Sequence, residues 1–360
     1  LLDALGRVPA ADAVSDGDVA PVDHSARDGY AVRADDGAGA EASSPIELDV
    51  LEHIAAGAWP GAEVRPGQAS RIMTGAPMPE GADAVVMVEY TSGVGGDGGA
   101  GGRVAVARPV TEGENVRCRG EEVSAGDVVL PSGDVLGPAA IGLLASTGHD
   151  AVEVYRRPVV AVVSTGDELV DVREKPGPGK IRNSNSYSIA AQVSLAGGLP
   201  LRFPIVPDDL EATRKALSRA ADEADFIVAS GGVSVGDFDF VKPVLEELGE
   251  MEYCRVAMRP GNPQTMGSIR GVPFFGLPGN PTSTYVGFEI FVRPALRLMQ
   301  GFSALDRPVV RATLSHDVKK RPDRRYYLRA RLERDEGGRL LVSLSGRQSS
   351  ALLTAAHRGN

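Results

Sequence analysis

The stretch Ala224–Lys242, ADFIVASGGVSVGDFDFVK, gathers residues whose types and spacing could do chemistry. Gly231, Gly232 and Gly236 interleave with Ser230 and Ser234. Glycine opens backbone angles closed to other residues and lets a ligand approach the main chain. Successive amide N–H groups in such a loop can form a concave anion site. Asp237 and Asp239 follow, one aromatic residue apart, and then Lys242. An anion cradle, carboxylates and a lysine together suit a phosphorylated ligand carrying a divalent cation. The plainer alternative is a Gly-rich turn before a helix N-terminus, where Asp is favoured in any case.

The loop must be held by the elements around it. Phe226–Ala229 is a short apolar run of the kind that forms a buried parallel strand. It belongs to a stretch from about 157 to 300 in which strands and helices alternate. Val159–Val163 is a β-branched run leading into Ser164-Thr165-Gly166-Asp167-Glu168-Leu169. A helix is expected over Ser186–Ala196, ending at Gly197-Gly198. A strand over Leu201–Val206 leads to Pro207-Asp208-Asp209, where an aspartate can cap a helix from Leu210 to Ala221. Val241–Leu248 is helical in pattern, and Pro278-Gly279-Asn280-Pro281-Thr282-Ser283 precedes a helix over Ser283–Met299. Such alternation implies a parallel sheet with helices on both faces, whose ligands bind outside the carboxyl ends of the strands. Thr165–Glu168, Asp208, the Ser230 loop and Pro278–Ser283 all fall at those ends, so four loops converge on one rim.

The flanks are β-rich. From Ile46 to Glu89 short apolar runs are separated by Gly and Pro. His24–Val32 reads as a polar turn running into a strand, with Asp28-Gly29 as the turn signal, and Arg71–Pro79 reads as a rigid loop with the Thr74 hydroxyl at its start. Thr91–Gly102 holds seven glycines in twelve residues and reads as a hairpin tip without chemistry. Asn115–Asp127, which includes Arg117, Arg119, Glu121 and Glu122, reads as a solvated charged surface. Gly137–Gly148 is helical in pattern. After Arg307 strands are expected over Val309–Leu314, Tyr326–Leu332 and Leu340–Leu344, and this last domain looks cut short at Asn360. Trp59 beside Pro60-Gly61 reads as a packed loop aromatic, and Cys118 and Cys254 as structural.

Composition excludes several classes. At 360 residues, two or more domains are expected, and 42% apolar residues suit a folded chain. A formal charge of -10 argues against nucleic acid or a membrane surface as partner. No apolar run approaches the roughly 18 residues that span a bilayer. Two cysteines without a CxxC or Cys/His cluster indicate neither a disulfide framework nor structural zinc. The cytoplasm is the expected compartment.

The motifs DGYAV, MTGAPMP, NVRCRGEE, STGDEL, SGGVSVGDFDF and LPGNPTS occur in this order across nearly the whole chain. Together they resemble the molybdopterin molybdenumtransferases, the bacterial molybdenum-insertion family to which the C-terminal domain of gephyrin is similar. The resemblance implies a multi-domain α/β plus β fold: a linking domain over 1–20 and 126–156, a β-rich domain over 21–125, a three-layer α/β domain with a parallel-rich sheet over 157–303, and a C-terminal β-barrel-like domain over 304–360. It implies a homodimer with a shared active cleft, and the molybdopterin adenylyltransferase as a partner. Adenylylated molybdopterin and molybdate are the implied substrates, with AMP released in a Mg²⁺-dependent step.

By position, the resemblance assigns Glu168, Asp239 and Asp208 to the cleft of the α/β domain, with Glu168 and Asp239 on the metal. It assigns Asp28, Thr74 and Glu122 to the β-rich domain's share of the catalytic set. Substrate contacts fall to Thr165, Gly166, Asp167, Ser230, Gly231, Gly232, Ser234, Arg255, Arg259, Pro278, Gly279, Asn280, Ser283, Arg329 and Ser350. The chemistry agrees, since carboxylates hold Mg²⁺ against phosphate oxygens and Arg, hydroxyl and N–H donors suit the molybdate dianion. The chain departs from the family where relatives carry lysines: Arg255, Arg259 and Asn262 stand there, and His24 and Arg27 replace Asn and Met near DGYAV. Arginine keeps the charge with a different geometry. Two further readings stay open, a molybdopterin adenylyltransferase and a non-catalytic molybdopterin-binding or scaffold paralogue.

Overall fold

A computed structural model describes residues 1–94, 98–232 and 240–360, without the side chains of Tyr253 and Cys254. The chain divides into two compact units, Leu1–Glu153 and Val154–Asn360.

The first unit is built on a six-stranded sheet, in the order Ala84–Met87, Gly29–Val32, Gln68–Ile72, Ile46–Ile54, Arg103–Val106 and Thr91–Val94. Alternation along Gly29–Val32 sends Tyr30 and Val32 to one core, with Leu48, Val86 and Val104. Ala31 goes to the other, with Ile54, Ile72 and Val85. The expected polar turn runs into this strand, which begins at Gly29. Gly29 pairs with both Ile72 and Met87, and a Cβ there would stand 2.0 Å from the Val86 carbonyl oxygen. The glycine marks close strand approach, which a local turn signal cannot distinguish. The hairpin expected over 91–102 is present, with Thr91 opposite Val106 and Val94 opposite Arg103. Near both ends of the unit, Ala13–Val14 pairs with Val128–Leu130, and a helix covers Pro138–Ser146.

The second unit contains the α/β layers. Its elements are β1 (Val159–Ser164), α1 (Asn185–Leu195), β2 (Leu199–Arg202), α2 (Leu210–Glu223), β3 (Phe226–Ser230), α3 (Val241–Leu248), β4 (Gly249–Arg255), β5 (Pro263–Ile269), β6 (Val272–Leu277) and α4 (Pro281–Gly287). The sheet order is β2-β1-β3-β6-β5-β4. The first four strands are parallel, and the β5 hairpin partner adds an antiparallel edge. Ala161 and Val163 of β1 face a core with Leu217 of α2 and Val244 and Leu245 of α3. Val160 and Val162 face Ile189 and Val193 of α1 and Phe288 beyond α4. This is three-layer packing, set by strict alternation along a strand apolar on both faces.

Two element bounds differ from the sequence expectation. The strand after α1 runs over Leu199–Arg202, short of Val206, because Pro204 has no N–H to give a sheet ladder. The last helix begins at Pro281, two residues early, since proline suits the first helical turn. It continues to Met299 through a wide turn at Phe288–Val292, next to Pro294. Asp209 caps α2 as expected, its side chain accepting from Ala212 N at 2.7 Å.

The C-terminal segment shows, among the described residues, a three-stranded sheet in the order Thr313–Leu314, Leu340–Leu344 and Ala330–Arg334. It is tied to the α/β layers by two backbone junctions. Met258–Arg259 pairs in parallel with Arg325–Tyr326, and Thr282 N at the start of α4 donates to the Ser350 carbonyl at 2.9 Å.

Candidate functional site

Three strand ends meet above the parallel sheet. Thr165 N, just after β1, donates to Ser230 O at the end of β3, at 3.2 Å. Gly231 N donates to Leu277 O at the end of β6, at 3.3 Å. Gly231 has φ +91°, and a Cβ on it would meet the Thr165 carbonyl oxygen at 2.5 Å, so no side chain fits here. Asn185, the first residue of α1, locks the rim. Its side-chain amide donates to Ser230 Oγ at 2.7 Å and to the Gly279 carbonyl at 2.8 Å.

A small pocket of about 40 Å³ opens there, lined by Ser164, Thr165, Glu168, Asn185, Ser230, Gly231 and Gly279 among others. Ser164 Oγ and Thr165 Oγ1 are buried with no hydrogen-bond partner among the described residues. Buried hydroxyls rarely stay unpaired, so these two donors are available to a ligand or water. The Glu168 side chain is exposed and turns back over Gly166, within 2.4 Å of where a Cβ would sit. Asp167 and Asp208 bind each other reciprocally: each backbone N–H donates to the other's carboxylate at 3.2 Å.

The turn after β6 faces two ways. Gly279 and Pro281 line the small pocket, whereas Pro278 and Asn280 line a second pocket of about 690 Å³. That larger pocket carries Arg259, Lys319, Lys320, Arg321, Arg324 and Arg329, with Ser283, Gln348 and Ser350, and among the described residues no carboxylate lines it. Arg329 is only 8% exposed. It donates to the Tyr327 and Ser349 carbonyls, each at 3.1 Å, and its Nε–H is buried without a partner. Among the described residues it has no ion pair. Burial accordingly pushes its pKa below the usual guanidinium value. An unneutralised buried cation among six basic side chains favours an oxyanion.

In the first unit, Thr74 donates twice to Asp28 Oδ1, from its N–H and its hydroxyl, each at 2.7 Å. These bonds hold the carboxyl below its ordinary pKa, the N–H contributing most. Glu122 of the same unit lines a pocket of about 790 Å³ that also carries Trp59, Arg117, Cys118 and Gly75, the residue after Thr74.

Over its full length the chain is 39% identical to the molybdopterin molybdenumtransferase of Bacillus subtilis (strain 168), covering 83% of that protein. The chain belongs to the molybdopterin molybdenumtransferase family. Family models agree in order: the MoeA N-terminal region (domain I and II) over 1–148, the probable molybdopterin binding domain over 161–298 and the MoeA C-terminal region (domain IV) over 311–360. The molybdopterin molybdenumtransferase of Staphylococcus aureus (strain MSSA476) is 37% identical over 98% of this chain and 83% of its own. Among solved structures, a molybdopterin biosynthesis MoeA protein from Pyrococcus horikoshii OT3 superposes with TM-score 0.82 at 31% identity, covering 100% of this chain and 87% of that one. Another solved structure, of a molybdopterin biosynthesis MoeA protein from Pyrococcus horikosii, gives TM-score 0.81 at 34% identity, covering 97% of this chain and 86% of that one.

For a molybdenumtransferase chain, the expected site residues fall into separate groups. Thr165, Glu168, Ser230, Gly231 and Gly279 line the small pocket, while Gly166, Asp167, Asp208 and Gly232 stand on its rim loops without lining it. Arg259, Pro278, Asn280, Ser283, Arg329 and Ser350 line the basic pocket. Arg255 ends β4, is exposed and lines neither pocket. Asp28 with Thr74, and Glu122, belong to the first unit. Ser234, Gly236, Asp237 and Asp239 lie outside the described residues, and Lys242 is an exposed residue of α3. Among the described residues no group of three His, Cys, Asp or Glu side chains could hold a metal. No helix described is long and apolar enough to cross a membrane.

Sequence reasoning missed Asn185, whose signal was an Asn-Ser repeat before a helix. It also missed the cations of 319–324, which reach the basic pocket only through the Arg325–Tyr326 strand pairing. Two readings are corrected. Trp59 is not packed but 76% exposed, and Cys118 is an exposed free thiol. Both sit in loops, where sequence carries little information about burial.

Proposed function

We infer that this chain is a molybdopterin molybdenumtransferase that places molybdenum from molybdate onto adenylylated molybdopterin with release of AMP. The observation that carries the reading is the pair of pockets on either side of the Pro278–Pro281 turn. One offers unpaired hydroxyls and an exposed carboxylate, and the other a basic cavity with a buried, unneutralised arginine. A phosphorylated pterin and a small oxyanion, held on opposite sides of one turn, are thereby kept close for transfer.

The donors at the small pocket fit Mg²⁺, because they are hard oxygens and Mg²⁺ needs only one or two carboxylates when phosphates and waters complete its shell. Glu168 would hold it, with Asp239 as the second carboxylate that the family resemblance assigns. Bound there, the ion neutralises charge on phosphate oxygens during phosphoanhydride cleavage. Ser164 and Thr165 donate to phosphate oxygens, and Asn185 fixes the Ser230 and Gly279 loops against each other. In the basic pocket Arg329 donates its Nε–H to molybdate, beside Ser350, while Lys319, Lys320, Arg321 and Arg324 raise the local anion concentration. Asp28, Thr74 and Glu122 belong in this proposal to the cleft of a cytoplasmic homodimer, contributed by the first unit. A molybdopterin adenylyltransferase is the partner that supplies the nucleotide substrate.

The positive charge missing at Asn262 is matched by the 319–324 segment, which counts against a scaffold role. Likeness to relatives through both terminal regions counts against an adenylyltransferase. The test is AMP release from adenylylated molybdopterin, with molybdate and Mg²⁺ each supplied or withheld. Release that requires both supports the reading, and nucleotide binding without release by the dimeric protein contradicts it.

A further inference from the structure

We propose that the 790 Å³ pocket of the first unit is a recognition subsite for a pterin ring, with Trp59 stacking on its face and Glu121 and Glu122 binding its amino edge. The choice of heterocycle rests on the molybdopterin-substrate reading above. Trp59 is the single tryptophan of the chain, and it is 76% exposed on the wall of this cavity. Its indole meets no aromatic ring or cation among the described residues. An indole left open in a pocket is a platform on which a flat ring can stack.

The polar groups select which flat ring. Glu121 and Glu122 line the same cavity, both exposed and without an ion pair or side-chain hydrogen bond among the described residues. Arg117, also exposed and unpaired among the described residues, lines it too. A 2-amino-4-oxopterin presents adjacent N–H donors on one edge, from N3 and the amino group, which match the two oxygens of a carboxylate. Its 4-oxo group accepts from a cation such as Arg117. Adenine offers a single amino donor beside an acceptor nitrogen, which a carboxylate repels. Val22 and Pro77 supply apolar wall for the ring body.

The test is titration of the full chain with neopterin, a stable pterin, followed by calorimetry and by Trp59 emission. The expected result is saturable binding with quenching, and no effect of adenosine. The double variant Glu121→Gln with Glu122→Gln weakens binding about tenfold, about 1.4 kcal/mol, and Trp59→Leu weakens it comparably. These side chains are exposed, so the variants retain the fold, which circular dichroism checks. Absent binding, equal binding of adenosine, or an unaffected double variant overturns the proposal. Emission that follows protein concentration and ignores neopterin also overturns it, since a second copy would then cover Trp59. AMP release with an unchanged KM in Trp59→Leu, without neopterin binding, rejects the subsite and leaves the transferase. Neopterin binding without AMP release does the reverse.

Discussion

Thr74 gives both its backbone N–H and its hydroxyl to the same carboxylate oxygen of Asp28, each at 2.7 Å. Both residues are exposed, so the pairing fixes a surface carboxylate as an anion in one orientation. The folded pKa of Asp28 is depressed, so its contribution to stability is present above the ordinary carboxylate value and lost as pH falls through the depressed one. Thr74→Val removes the hydroxyl and keeps the N–H, the larger cause. Asp28 in this variant is expected to titrate above its wild-type pKa but still below the ordinary value. Carboxyl-carbon NMR titration checks this, and an unchanged Asp28 pKa would remove the hydroxyl from the account.

Asn185 holds the ends of β3 and β6 together through Ser230 and Gly279. Asn185→Ala is expected to cost about 1–3 kcal/mol, from two lost bonds and the carbonyl and hydroxyl left behind. Pterin-nucleotide affinity should fall with it, because the pocket floor loosens. Denaturant unfolding and nucleotide titration together check both parts.

Arg329 presents stability and function in opposition. Replacing this buried cation with an apolar side chain of similar length removes the desolvation cost of an unpaired charge, which offsets the loss of its bonds to the Tyr327 and Ser349 carbonyls. Arg329→Met is therefore expected to keep or raise the melting temperature while raising the KM for molybdate tenfold or more. A variant that unfolds, or binds molybdate normally, contradicts the assignment of this arginine to the anion.

Gly231→Ala tests the loop itself. With φ at +91° and the Thr165 carbonyl 2.5 Å from the added methyl, the substitution is both strained and overpacked. A loss of roughly 1–3 kcal/mol is expected in thermal unfolding.

The α/β layers were legible because their strands are uninterrupted apolar runs with glycine at the carboxyl ends, and because Asp209 is a strong cap. Glycine's two uses were harder to separate: the turn and strand at Asp28–Val32 were legible, but not the close strand approach that leaves no room for a side chain at Gly29. Pro204 ended a strand that hydrophobicity alone would have carried to Val206. The small pocket's loops could be read from their positions after β1, β3 and β6. In the basic pocket Arg259, Arg329 and Ser350 were legible through the family resemblance, whereas the 319–324 cations were not, since they reach it through tertiary pairing far along the chain. Trp59 and Cys118 were misjudged because exposure of a loop residue depends on what packs against it, which no local pattern records.

The central claim is that Glu168 works at a pocket that releases AMP when molybdate arrives. Its most direct test compares wild type and Glu168→Ala for AMP release, with both ions present and with each withheld. The account predicts release by wild type only when both ions are supplied, and loss of that release in Glu168→Ala with the fold unchanged. Ion-independent release, or full activity in Glu168→Ala, would contradict it.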